Sequence, residues 1–203
     1  MHESDVNAPL DSGRTLRSDA RRNRDRLLRE AVQAFSHDGP DVPLDAIAKR
    51  AGVGIGTLYR HFPTREALVE AAYRSELDRL CEVVAALITA EGPDAATRIW
   101  MDRFVEYMTT KRGMAEALRV VIASGINPFA HSRDRLIGAI TALLDAGAAA
   151  GTLRSDVRPG DVMASLSGIS LTAGEPEQRD QARRMLDLLM DGLRFGIGNS
   201  RDV

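Results

Sequence analysis

Cysteine is almost absent: in 203 residues Cys81 stands alone. No internal disulfide and no multi-cysteine zinc site can form, and a single thiol fits a reducing compartment. Lysine is nearly as scarce, since of 27 basic residues all but Lys49 and Lys111 are arginine. No apolar run approaches the roughly 20 residues needed to span a bilayer. The opening stretch "MHESDVNAPLDSG" is polar and acidic and has no apolar segment of the secretory type, so a cytoplasmic protein is expected. The four histidines (His2, His37, His61, His131) do not fall in HExxH or a comparable metal-ligand spacing, and no serine sits in a nucleophile elbow. Cys81 lies on an apolar helical stripe, which reads as packing and not as an activated thiol. The expectation is a protein that is no enzyme and carries neither metal nor cofactor.

What is present is ordinary for a soluble domain: 44% hydrophobic and 28% charged residues. The formal charge of −2 decides nothing by itself. Its distribution says more, because Arg14 to Arg65 holds eleven basic residues against six acidic ones, a local balance of +5. Arginine enrichment of this kind is either a solvated tail or an anion-binding surface.

Nearly every segment repeats its apolar residues with a helical period, and none alternates as a half-buried strand would. Leu27, Leu28, Ala31, Val32 and Phe35 form one stripe, stopped by "HDGPDVP". Leu44, Ile47, Ala48 and Ala51 form a second, which Gly52 ends as a C-terminal cap. Leu58 and Phe62 mark a short third helix. From Pro63 a pattern of more than twenty residues, Leu68 to Ile88, predicts one long helix joining two lobes. Further stripes follow to Leu193. The expected fold is all-α, about nine helices, divided into a flexible basic tail (1–19), a three-helix N-terminal unit (20–66) and a helical C-terminal domain (67–203).

"GVGIGTLYRHF" at 52–62 crowds three glycines against Thr57, Tyr59, Arg60 and His61. A phosphate loop would need a preceding strand and a different glycine spacing, and helical sequence precedes it here. Two short helices joined by a tight glycine turn are instead the geometry that places a second helix in the DNA major groove. Thr57 suits a phosphate or a thymine methyl group, the Tyr59 hydroxyl and the His61 ring suit phosphate oxygens, and Arg65 adds charge at the start of the next helix.

The run "LDAIAKRAGVGIGTLYRHFPTREALVEA" (44–71), with the arginine-bearing segment 20–36 before it, resembles the DNA-binding signature of the TetR family of bacterial transcriptional regulators. Close resemblance covers about residues 20–75, beyond which only helix number and length are similar. The resemblance implies a homodimer on a near-palindromic double-stranded operator, most often as a repressor, released by a small molecule bound in the C-terminal domain. It places Ile55, Gly56, Thr57, Tyr59, Arg60 and His61 on the recognition helix, with Tyr59 and His61 as phosphate contacts and Leu58 and Phe62 as packing. Two departures stand out: Pro43 occupies a position where the family often has a capping threonine, and Arg65 replaces a common lysine. Arg14, Arg17, Arg21 and Arg22 precede the first helix, either as a solvated tail or as an arm reaching a minor groove.

In the C-terminal half Trp100, Phe104, Tyr107, Met108 and Phe129, with Met114, either pack a core or line a largely apolar effector cavity. Arg103, Asn127, His131 and Ser167 are its candidate polar partners. The last two helices carry Leu166, Ile169, Met185, Leu189 and Leu193, which form either an intramolecular pair or, as the resemblance implies, a four-helix dimer interface. Such a dimer would set the two recognition helices ~34–36 Å apart. A constitutive DNA-binding regulator, whose C-terminal domain only dimerises, fits the same sequence.

Overall fold

The structure, a computed structural model, describes residues 10–173 and 176–194. Among these residues there are ten α-helices and no strand: α1 (Leu10–Gln33), α2 (Leu44–Arg50), α3 (Ile55–His61), α4 (Arg65–Glu82), α5 (Val84–Glu91), α6 (Pro93–Gly113), α7 (Ala115–Ala123), α8 (Ser132–Ala149), α9 (Pro159–Leu171) and α10 (Pro176–Arg194). The last turn of α1 widens into a π-type segment, Ala34–Asp38, which ends at Gly39 with φ 95°. None of the described helices is long and apolar enough to cross a membrane.

Two boundaries differ from the sequence reading. Helix α1 starts at Leu10, so residues 10–19, expected as flexible tail, are helical; residues 1–9 lie outside the described chain. No proline interrupts the chain between Leu10 and Gly39, and the Asp19–Arg22 ion pair three residues apart supports the added turns. The long helix expected after Pro63 divides at Val83 into α4 and α5. The indole N–H of Trp100 donates to the Leu80 carbonyl at 2.8 Å, taking the acceptor that a continuous helix would offer to Val84. A side chain inserted into the i→i−4 ladder is a recognised cause of a helix break.

One hydrophobic core runs through the molecule. At the N-terminal end Leu27, Ala31 and Phe35 of α1, Ile47 of α2, Leu58 of α3 and Leu68 and Ala72 of α4 are all buried. Helix α4 then continues into the second half, where Leu77 and Leu80 join Trp100, Met101 and Phe104 of α6. Helix α6 is the axis of that half: it packs against α4, α5, α8, α9 and α10, and its far end reaches the π-type turn of α1. Charged clamps fasten α10 to it, with Arg98 Nε donating to Asp187 at 2.8 Å and Arg194 gripping both oxygens of Asp94 at 2.8 and 2.9 Å.

A chain of hydroxyls crosses the core. Tyr73 of α4 meets the Tyr107 hydroxyl of α6 at 2.7 Å and the Ser132 hydroxyl of α8 at 3.2 Å. Burial, reinforced by the neighbouring Tyr73 hydroxyl, pushes the Tyr107 phenol far above the ordinary tyrosine range. The unfolded chain therefore loses this proton first, and stability falls as pH rises above about 10. We expect the melting temperature to drop in that range by less in Tyr107→Phe than in the parent chain. Thermal melting followed by circular dichroism at a series of alkaline pH values checks this. At neutral pH, Tyr73→Phe strands the Tyr107 and Ser132 hydroxyls and should cost about 1–3 kcal/mol.

Candidate nucleic-acid interface

The sharp turn between α2 and α3 follows from local backbone chemistry. Gly52 adopts φ 67°, a left-handed conformation that glycine enters without steric cost. Its N–H bonds to the Lys49 carbonyl at 3.1 Å while that of Val53 reaches back to Ala48 at 3.0 Å, the paired bonds of a Schellman helix end. Gly54 then caps α3 in an extended conformation, and its carbonyl accepts from Thr57 at 2.9 Å. Leu58 is fully buried and Phe62, which closes the helix, is nearly so; Arg24 of α1 lies over the Phe62 ring at 5.6 Å.

With that side anchored, the opposite face of α3 is open. Ile55 is 41% and Tyr59 50% exposed. Gly56 and Arg60 are also exposed, and Thr57 and His61 are half-buried beside them. The six recognition-helix residues expected from the sequence thus share one short helix. Gly56 has no internal packing reason to be glycine, because a β-carbon there would meet nothing within 4 Å. The Pro43 departure has a structural counterpart, since Pro43 caps α2 through its backbone carbonyl alone, which accepts from Ala46 at 3.1 Å.

The surrounding arginines divide. Arg21, Arg22, Arg24, Arg26 and Arg29 are exposed along α1, with Arg22 paired to Asp19. Arg14 and Arg17 belong to the same helix. Arg65 behaves differently: its guanidinium turns inward, donates to the Pro40 carbonyl at 2.8 Å and lies 5.9 Å from the centre of the Phe35 ring. The sequence gives no signal for this tether, which joins residues 25 apart.

In the C-terminal half the aromatic residues do come together, as core. Trp100 and Phe104 meet in a tilted arrangement at 5.7 Å, Phe104 and Tyr107 likewise at 6.3 Å, and Phe129 meets Tyr73 edge-on at 5.3 Å. Met108 is half-buried against them. The cavity lined by Trp100, Met101, Ile140, Leu143 and Leu166 has a volume of about 10 Å³, no more than one water requires. None of the expected polar partners lines that small cavity. Arg103, Asn127 and His131 are exposed, and the Ser167 hydroxyl donates to the Met163 carbonyl at 2.7 Å.

The expected dimer residues need correction. Leu166, Ile169 and Leu193 are buried inside the protomer, and only Met185 and Leu189 remain half-exposed. The apolar stripes that periodicity picks out on α9 and α10 are those turned to this chain's own core. The outward faces carry Leu171, 73% exposed, and Leu188, 72% exposed, with Ala164 and Gly168 exposed on α9. Thr172 and Met185 touch at 3.8 Å, which holds the two helices side by side.

A tight glycine turn, a seven-residue helix anchored on one side and bare on the other, and arginines along the neighbouring helix define a helix-turn-helix protein of the DNA-binding class. Comparison with known proteins agrees. Residues 27–72 match the family described as "Bacterial regulatory proteins, tetR family", and residues 92–195 match "Transcriptional regulator SbtR-like, C-terminal domain". The crystal structure of a TetR transcriptional regulator from Streptomyces coelicolor is similar at 56% identity and a TM-score of 0.81, covering 84% of this chain and 98% of that one. A TetR transcription regulatory protein from Mycobacterium vanbaalenii follows at 34% identity and a TM-score of 0.73, covering 89% and 99%. An HTH-type transcriptional regulator of Staphylococcus aureus is 38% identical over 64 residues, 31% of this chain and 35% of that relative's length. The chain belongs to the TetR family of bacterial regulators: it is a DNA-binding transcriptional regulator, in a family whose members are not enzymes.

The anchoring of α3 yields a pair of opposite stability effects. Leu58→Ala should destabilise the chain by about 2–5 kcal/mol through the cavity it leaves. Gly56→Ala should stabilise it by about 0.5–1 kcal/mol, since alanine is the better helix former and nothing obstructs it. Denaturant unfolding of both variants tests the contrast.

Proposed function

We propose that the chain represses transcription as a homodimer on a near-palindromic operator, each α3 entering a major groove. The observation that carries this reading is the open face of α3. Ile55, Thr57 and Arg60 are its readers of base edges, while the Tyr59 hydroxyl and the His61 ring hold phosphates. Gly56 lets the α3 backbone approach the base edges, which accounts for a glycine that costs helix stability with no internal compensation. Arg22 and its neighbours on α1 add sequence-independent attraction to the duplex. The dimer forms through the outward faces of α9 and α10, with Ala164 and Gly168 allowing close approach and Leu171 and Leu188 supplying apolar area.

Release by a small, largely apolar effector is the family's usual mode of control. In this chain Trp100, Phe104 and Tyr107 are almost fully buried and the cavity beside Trp100 holds only about 10 Å³, so a ligand entering there would have to part existing contacts. That closed packing favours a second reading, in which the protein binds its operator constitutively and the C-terminal domain only dimerises. Thermal-shift screening against apolar metabolites separates the two: a ligand that raises the melting temperature and releases DNA supports control by an effector.

Selection of duplexes by the full chain from a random pool, followed by titration, tests the DNA reading. Affinity should fall steeply with salt. Tyr59→Phe should weaken all sequences alike, whereas Thr57 variants and Gly56→Ala should shift sequence preference. Failure to enrich any duplex would defeat the proposal. For the dimer, Leu171→Glu combined with Leu188→Glu should give a monomer in sedimentation experiments, while a retained dimer would place the interface elsewhere.

A further inference from the structure

The turn that follows α1 is held from three directions. From α2, Arg50 donates to the Asp38 carboxylate at 2.5 Å. From the first residue of α4, Arg65 donates to the Pro40 carbonyl at 2.8 Å, its guanidinium against the Phe35 ring. From the C-terminal domain, α6 ends against the same segment at Gly113. A β-carbon added there would lie 2.7 Å from the Ser36 carbonyl oxygen and 3.0 Å from the Ser36 β-carbon. That approach is so close that only glycine fits, and the buried Ser36 hydroxyl beside it has no hydrogen-bond partner.

The tethers from Arg50 and Arg65 bracket α3. Arg50 is the last residue of α2, and Arg65 opens α4 three residues after Phe62 closes α3. Thr64 fixes the start of α4 by accepting from the Ala67 N–H at 3.1 Å. The residues that flank α3 on either side are therefore fastened to one short turn, and the end of α6 backs that turn.

We propose that Arg65 serves DNA binding as a positioning residue. With Arg50 it fastens the helix-turn-helix to the Asp38–Pro40 turn, and through Gly113 the C-terminal domain sets the attitude of α3. The inference rests on the DNA-binding reading above. Arginine suits this work better than lysine, because its flat fork donates to a carbonyl while lying against an aromatic ring. An ammonium keeps the charge and loses that pairing. The joint also links the two halves of the molecule by a route separate from the continuous chain through α4.

The salt dependence of binding distinguishes this role from a phosphate contact. Removing one phosphate contact lowers the slope of log affinity against log salt by about 0.9, whereas removing a positioning residue weakens binding at unchanged slope. The probe is a duplex selected from a random pool by the parent full-length chain. We expect Arg65→Gln and Arg65→Lys each to lose about tenfold in affinity with the parental slope. Gly113→Ala should lose severalfold, again at the parental slope, while it still melts cooperatively and remains dimeric. Arg65→Lys keeps the test decisive if Arg65→Gln does not fold. A slope lowered by about one unit in Arg65→Gln, full affinity in Arg65→Lys, or parental binding by Gly113→Ala would overturn the proposal. If the parent chain selects no duplex, the DNA-binding reading falls instead, and this joint loses its purpose with it.

Discussion

A helix of seven residues cannot hold itself together in water, where isolated helices need about 12–15 residues to be even marginal. Helix α3 therefore exists because Leu58 and Phe62 are buried against the helices around it, and everything on its outer face inherits that dependence. Leu58 gives α3 its place in the core, and the left-handed Gly52 gives it its angle to α2. Tyr59, Arg60 and Ile55 make no contribution to this anchoring. They are free to be chosen for what they touch outside the molecule. The same division explains Gly56, which weakens the helix slightly and gains nothing from its own chain.

The C-terminal half follows the opposite logic. Its aromatic residues satisfy one another, and several of its buried polar groups are paired across helices: Trp100 with Leu80, and Tyr73 with Tyr107 and Ser132. The charged clamps between α6 and α10 add geometry more than energy, because ion pairs at partly exposed sites typically contribute less than about 1 kcal/mol. The cavity beside Trp100 is correspondingly small, about 10 Å³. Any ligand that entered it would have to exchange existing contacts for new ones, not fill a vacant space.

Much of this was legible in the sequence, and the reasons are local. The stripe Leu27–Phe35, the Schellman glycine at 52 and the Leu58–Phe62 pair each obey a periodicity or a backbone rule that needs no knowledge of the rest of the chain. What escaped reading depends on residues far apart. The break at Val83 comes from an indole twenty residues downstream of the carbonyl it takes. The inward turn of Arg65 depends on Pro40 and Phe35. On α9 and α10 periodicity located the apolar stripes correctly but could not say whether they face this chain or another. That Leu166, Ile169 and Leu193 turn inward while Leu171 and Leu188 turn outward is a matter of which side the core lies on. Among the candidate effector residues, sequence identified a real cluster but not whether it encloses space.

The hydrogen bond from Trp100 to Leu80 has one more consequence. Trp100 is the single tryptophan of the chain, 1% exposed and packed against Phe104, and it bridges α6 to the point where α4 gives way to α5. The protein thus carries its own emission probe at the seam between the helix that leads to the recognition element and the helix at the centre of the second domain. A shift of one against the other lengthens the indole hydrogen bond and changes the polarity around the ring, and the colour of the emitted light would report it without any label.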